Sequence, residues 1–246
     1  MPLSLVKSAK NSVAVLFAAA ALTFPGIASA GIVVASSGPS AAKYPAGKKL
    51  PDTMRITLKS GDKVTILDKR GTKVLRGPDT FTVGEAIGPR RTSTFATLTR
   101  LRNSTRARTG AIRGEGGTGG EMLSPNMWYI NVAKPGTMCI LDVDAVRLWR
   151  ANAEKRESFV LTAADGSSKA IAAFDPMATL AIWDVAKAPV ANGSAYTVRK
   201  EGTSTQGTIT FAVLPDMPAD PEALGEALIE HGCMDQLDLL TASLGN

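Results

Sequence analysis

Apolar and polar residues alternate in short runs along most of this chain. Residues 54–58 (MRITL), 63–67 (KVTIL), 72–75 and 80–83 repeat with period two, and Gly61-Asp62, Asp68-Lys69-Arg70-Gly71 and Gly77-Pro78-Asp79 interrupt them. Period-two runs broken by turn residues predict an antiparallel meander. An unalternated β-branched run at 31–35 (GIVVA) predicts a strand ahead of it. Residues 36–50, with two prolines and two glycines, read as loop. At 92–106 the texture changes. Phe95, Leu98 and Leu101 stand three apart with Arg100, Arg102 and Arg106 alongside, which predicts a basic amphipathic helix.

Beyond residue 120 the short runs return, at 127–132, 137–141, 146–150, 158–162, 169–174, 179–183, 195–199 and 208–214. Lys134-Pro135-Gly136, Asp165-Gly166, Asp175-Pro176, Ala188-Pro189 and Asn192-Gly193 separate them. Strands at this spacing predict a sandwich of immunoglobulin-like type, with Trp128, Trp149 and Trp183 as core anchors. Helices close the chain. Asp220 is placed to cap, Pro221 suits a first turn and Glu222 complements the dipole. Leu224, Leu228 and Ile229 form an apolar face, Gly232 ends the helix, and Leu237, Leu240 and Leu244 mark a second one. The fold expected is therefore mainly β. An N-terminal antiparallel β-meander domain (31–106) is followed by a glycine/arginine-rich linker (107–123) and a C-terminal β-sandwich with terminal helices (124–246).

Charge divides the chain at the same place. Residues 31–120 carry 17 Lys+Arg against 6 Asp+Glu, and residues 121–246 carry 9 against 16. The boundary stretch holds Arg100, Arg102, Arg106, Arg108 and Arg113, then five glycines between Gly114 and Gly120. Its second part has little to bury and is expected to be a mobile connector. The arginines are the expected anion- or partner-binding residues. Lys59, Lys63, Lys69, Arg70, Lys73 and Arg76 fall on the turns and outward face of the meander, either as a solvated face or as an anion-binding one.

Residues 1–30 read as a signal peptide. Lys7 and Lys10 precede an apolar run at 13–24, Pro25-Gly26 breaks it, and Ala28-Ser29-Ala30 is a small-residue cleavage site. The run is shorter than the roughly 20 residues that span a bilayer. The mature chain is expected to start at Gly31 and to be periplasmic or secreted. Cys139 and Cys233 are the only cysteines. In an oxidising compartment such a pair is expected to form a disulfide, and two thiolates are too few for a zinc site.

Little else in the chain carries chemistry. Residues 114–119 match G-x-G-x-x-G by spacing, but an arginine-rich segment precedes them instead of a buried strand, so no dinucleotide site is expected. His231 is the only histidine, which removes most acid–base and nucleophile constellations. Asp142 and Asp144 supply two oxygens where calcium takes six to eight. No cofactor or metal is expected, and no nucleic-acid partner, because the basic half lacks aromatic interleaving and any reader motif.

Three segments resemble the FecR-type periplasmic domain of bacterial envelope proteins. They are 47–50 (GKKL), 56–75 (ITLKSGDKVTILDKRGTKVL) and 111–114 (AIRG), within a likeness of about 70 residues. The resemblance implies a β-rich exported module that senses or scaffolds without catalysis. The function expected is a non-catalytic envelope module whose basic half contacts an envelope protein or anionic envelope polymer, with peripheral membrane contact as a variant. The alternative is an envelope hydrolase acting on glycan or peptide through distant carboxylates such as Asp142 and Asp184.

Overall fold

In the computed structural model, which describes residues 29–85, 92–100 and 123–245, the chain is mainly β. The N-terminal half contains β1 (Ser29–Ser37), β2 (Lys49–Pro51), β3 (Arg55–Leu58), β4 (Lys63–Leu67), β5 (Thr72–Arg76) and β6 (Asp79–Thr82), then α1 (Thr92–Thr99). The C-terminal half contains β7 (Tyr129–Asn131), β8 (Gly136–Ile140), β9 (Arg147–Trp149), β10 (Glu157–Ala163), β11 (Lys169–Phe174), β12 (Leu180–Ile182), β13 (Ala195–Lys200) and β14 (Gln206–Val213). Helices α2 (Pro221–Glu230) and α3 (Met234–Leu244) end it.

The N-terminal strands are not a simple meander. The main sheet runs β2-β1-β4-β5, and β3 skips its neighbour β4 to pair with β6 in a two-stranded sheet. Packing explains the departure. Ile56 and Leu58 of β3 bury against Val33, Val64, Ile66 and Leu75 of the main sheet, so β3 lies over that sheet and not in it. The GIVVA run does not alternate because both faces of β1 are covered. Val33 joins this first core, while Ile32 and Val34 face the other way into a second. The stretch expected to be loop ends in β2, which pairs with β1.

The C-terminal half is a sandwich. A five-stranded sheet ordered β11-β10-β13-β14-β8 and a three-stranded sheet ordered β12-β9-β7 bury Phe159, Leu161, Phe174, Trp183, Tyr196 and Phe211 between them. Trp183 meets Tyr196 and Phe211 edge-on at 5.0 and 5.3 Å, and its indole N–H donates to the Ala188 carbonyl. The sheets differ from an all-antiparallel plan in two places, since β14 pairs with β8, and β7 with β9, in parallel. All three tryptophans are buried, as core anchors should be.

The second core joins the halves. Leu224, Leu228, Leu237, Leu240 and Leu244 of the terminal helices pack against Ile32, Val34 and Leu67 of the N-terminal sheet, against Leu98 of α1, and against Cys139 and Leu214 of the sandwich. Helix α2 starts as its sequence dictates, with Asp220 accepting the Ala223 N–H at 3.0 Å and Pro221 opening the first turn. It lies close on β4 at Gly225, where a Cβ would come within 2.5 Å of Leu67. Across this contact Lys49 pairs with Glu226 at 2.5 Å and Lys69 with Asp220 at 4.0 Å. Part of the charge division between the halves is thus neutralised internally.

Candidate anion-binding face

Of the five arginines expected to bind anions, Arg102, Arg106, Arg108 and Arg113 lie outside the described residues, as do 107–122 of the expected linker. Arg100 is described and exposed. Its carbonyl accepts from the Asn126 side-chain amide at 2.8 Å, the Leu98 carbonyl from the Met127 N–H at 3.0 Å, and the Thr99 carbonyl from the Trp128 indole at 2.7 Å. The residues on either side of the arginine/glycine-rich stretch are therefore bonded to one another. Helix α1 covers the first part of the segment predicted helical, and 101–106 lie outside the described residues. Leu98 is fully buried in the second core, with Phe95 packed against it.

Among the described cations of the N-terminal half two groups stand out. Lys49 and Lys69 face the acidic helix α2, and the Glu226 carboxylate beside Lys49 raises that lysine's pKa by its hydrogen bond and its charge. Arg70 pairs with Asp68 at 3.7 Å, and Lys48 lies over the Tyr44 ring at 5.3 Å. Lys73, expected on the outward face, is instead buried beside Leu75, and burial pushes its amine below the usual lysine range. Alternation assigns it there, because it shares a face with Leu75.

The second group is unneutralised. In the β4–β5 hairpin, Lys63 stands directly opposite Arg76, both are exposed, and neither has an ion-pair partner among the described residues. Cross-strand neighbours are about 5 Å apart, and like charges so placed repel. This juxtaposition was countable from sequence. The four-residue turn at 68–71 opposes Leu67 to Thr72, and four steps outward reach Lys63 and Arg76. Lys59 joins them from the β3–β4 turn, because the Gly77 backbone packs against the Lys59 carbonyl too closely to admit a Cβ.

Asp62 fixes this corner. Its carboxylate accepts the Ser40 N–H at 2.8 Å and the Lys59 N–H at 2.5 Å, and its carbonyl accepts the Gly77 N–H at 3.0 Å. In the sequence, Asp62 reads only as a turn residue. Burial raises its pKa, but the hydrogen bonds from Ser40 and Lys59 outweigh burial and hold the carboxyl below the usual aspartate range. The group therefore binds its proton more weakly folded than unfolded. Its contribution to stability is complete above the unfolded pKa and is lost as pH falls through the lower folded value. Asp62→Asn is expected to melt below the parent at pH 7, with the deficit shrinking as the pH drops below about 4. Thermal melts of both proteins across that range check this, and a deficit independent of pH would refute it.

The other residues singled out do not gather. The Asp142 side chain accepts the Asp144 N–H at 2.9 Å in a local turn. Asp184 pairs with Lys187 at 2.7 Å, and that hydrogen bond lowers its pKa. His231 is exposed at the end of α2. Cys233 is bonded to Cys139 with Cα atoms 5.8 Å apart, as expected, so it is not a free thiol beside His231. Comparison of the chain with protein-family models, curated proteins and solved structures finds no match.

Proposed function

We propose that the chain is a non-catalytic, exported envelope module that contacts an anionic partner through the basic corner formed by Lys59, Lys63 and Arg76. The Lys63–Arg76 pair carries the proposal. A fold that neutralises Lys49 and Lys69 with its own helix leaves these two cations opposed and, among the described residues, unpaired. An external anion placed between them removes the repulsion. The disulfide fits an oxidising compartment, and no described helix is long and apolar enough to cross a membrane. The signal-peptide pattern and the FecR-type resemblance add export and a sensing or scaffolding role. The partner is an envelope protein or an anionic envelope polymer.

Stability and binding are expected to move in opposite directions. Lys63→Ala or Arg76→Ala relieves the repulsion and raises stability by a few tenths of a kcal/mol. Each weakens binding to an anionic envelope polymer by up to about fivefold. Binding by the parent is also expected to fall steeply with added salt, since screening shortens to about 8 Å at physiological ionic strength. Calorimetric titration at two salt concentrations, with melts of the same variants, checks both. Binding unchanged in the double variant would refute the assignment.

A further inference from the structure

The sandwich treats its two ends differently. At one end β8 closes the five-stranded sheet, and the Gln236 side chain occupies its edge by bonding the Cys139 N–H and C=O. At the other end β11 is the last strand, with β10 on one side only. The direction of its backbone groups follows from one bond. The Ala163 N–H donates to the Ser168 carbonyl at 3.0 Å, so residue 168 aims its groups at β10. Antiparallel alternation gives the same aim to Ala170, Ala172 and Phe174. The N–H and C=O groups of Lys169, Ile171 and Ala173 point out of the sheet edge. The side chains of these three residues are exposed, while Ala170, Ala172 and Phe174 are buried in the core.

We propose that β11 is a homodimerisation edge, at which two copies of the chain pair antiparallel about a two-fold axis at Ala172. A two-fold axis through a continuous sheet keeps each face on its own side, so it opposes residues of like parity. Centred on Ala172, it sets Ile171 against Ala173 of the other copy, and this pair exchanges both backbone hydrogen bonds. It also sets Lys169 against Asp175 at each end. The outward row Lys169, Ile171, Ala173, Asp175 is thus complementary to itself when reversed. Centring on Ile171 would set Lys169 against Ala173 and form no ion pair.

Asp175 is held ready for this contact. The buried Arg150 guanidinium donates to the Asp175 carbonyl and to the Ala178 carbonyl, both at 3.0 Å, and so fixes the turn that leaves β11. The Asp175 carboxylate itself is exposed, and its one ion-pair partner among the described residues is Arg156 at 3.9 Å. In the same turn Met177 sits at φ 65°, a costly conformation for a non-glycine residue, and is 80% exposed. Ile171 and Ile182 are each 59% exposed, Ile182 on the end strand of the other sheet. Outward backbone groups, opposite charges and the exposed Ile171 side chain therefore share the β11 edge.

Sedimentation velocity of the full mature chain, from low micromolar to a few hundred micromolar, tests it. A concentration-dependent dimer is expected. Lys169→Asp and Asp175→Lys each place like charges opposite one another at both ends, and each is expected to weaken the dimer about tenfold. The double reversal restores it. Ala173→Pro removes an outward N–H while leaving the β10–β11 ladder intact, and is expected to give a monomer with unchanged far-UV circular dichroism. A monomer at every concentration would overturn the proposal. So would a dimer indifferent to the charge reversals, which decide the matter even if the proline variant does not fold.

Discussion

Replacing both Cys139 and Cys233 by alanine is expected to lower the stability of the chain by about 4–5 kcal/mol. The bridge closes a span of 94 residues, and it holds the segment before α3 against β8. In the chain-entropy description a loop of this order takes about 4.7 kcal/mol of freedom from the unfolded chain. Both cysteines are fully buried in the core that joins the halves, so loss of their sulfurs adds a packing defect at the same place. For a chain of this size the change corresponds to a fall in Tm on the order of 10 °C. Urea unfolding of oxidised parent against the double variant measures it. Equal midpoints would show that helix packing alone holds the halves together. The location of the loss matters as much as its size. Helices α2 and α3 contact the N-terminal sheet, α1 and the sandwich together, so hydrogen exchange should quicken in α3 first and in β1 and β4 with it.

That joint role of the helices was not legible in the sequence, and the reason is physical. Period-two alternation reports which residues of a strand share a face, and it placed Ile56 with Leu58 and Val64 with Ile66 correctly. It does not report which strand lies beside which. The pairing of β3 with β6, and the insertion of β1 between β2 and β4, depend on which buried faces meet. Helix starts at Asp220 and the disulfide depend on local chemistry or simple counting, so they could be read. The basic corner lies between these cases. Its cations and the turn that sets their register were both visible, whereas the neutralisation of Lys49 and Lys69 by α2 required the fold. Gln236 gave no signal at all. A glutamine in the first turn of a helix, directly after Met234 and Asp235, would ordinarily be exposed, and only the position of β8 makes it buried.

Gln236→Leu is expected to destabilise the chain by about 3 kcal/mol or more, although leucine is apolar and similar in size. The glutamine amide behaves as a short piece of neighbouring strand. Its Oε1 accepts the Cys139 N–H at 2.7 Å, and its Nε2 donates to the Cys139 carbonyl at 2.8 Å and the Met127 carbonyl at 3.0 Å. All of these groups are buried. Leucine would fill the space and leave one donor and two acceptors without these partners, at about 1–3 kcal/mol for each group that finds no replacement. An edge strand open in the interior is the consequence, so the Cys139 amide should lose hydrogen-exchange protection more than its neighbours Met138 and Ile140. The latter face β14, as shown by the Leu214 N–H donating to the Ile140 carbonyl at 2.8 Å. The bridge and the amide act on the same pair of elements, so their losses should overlap. In the background of Cys139→Ala and Cys233→Ala, Gln236→Leu is expected to cost less than in the parent, because α3 is then freer to leave β8. Urea unfolding of the four proteins in this cycle gives the coupling directly. Strict additivity would mean that Gln236 and the disulfide hold different contacts.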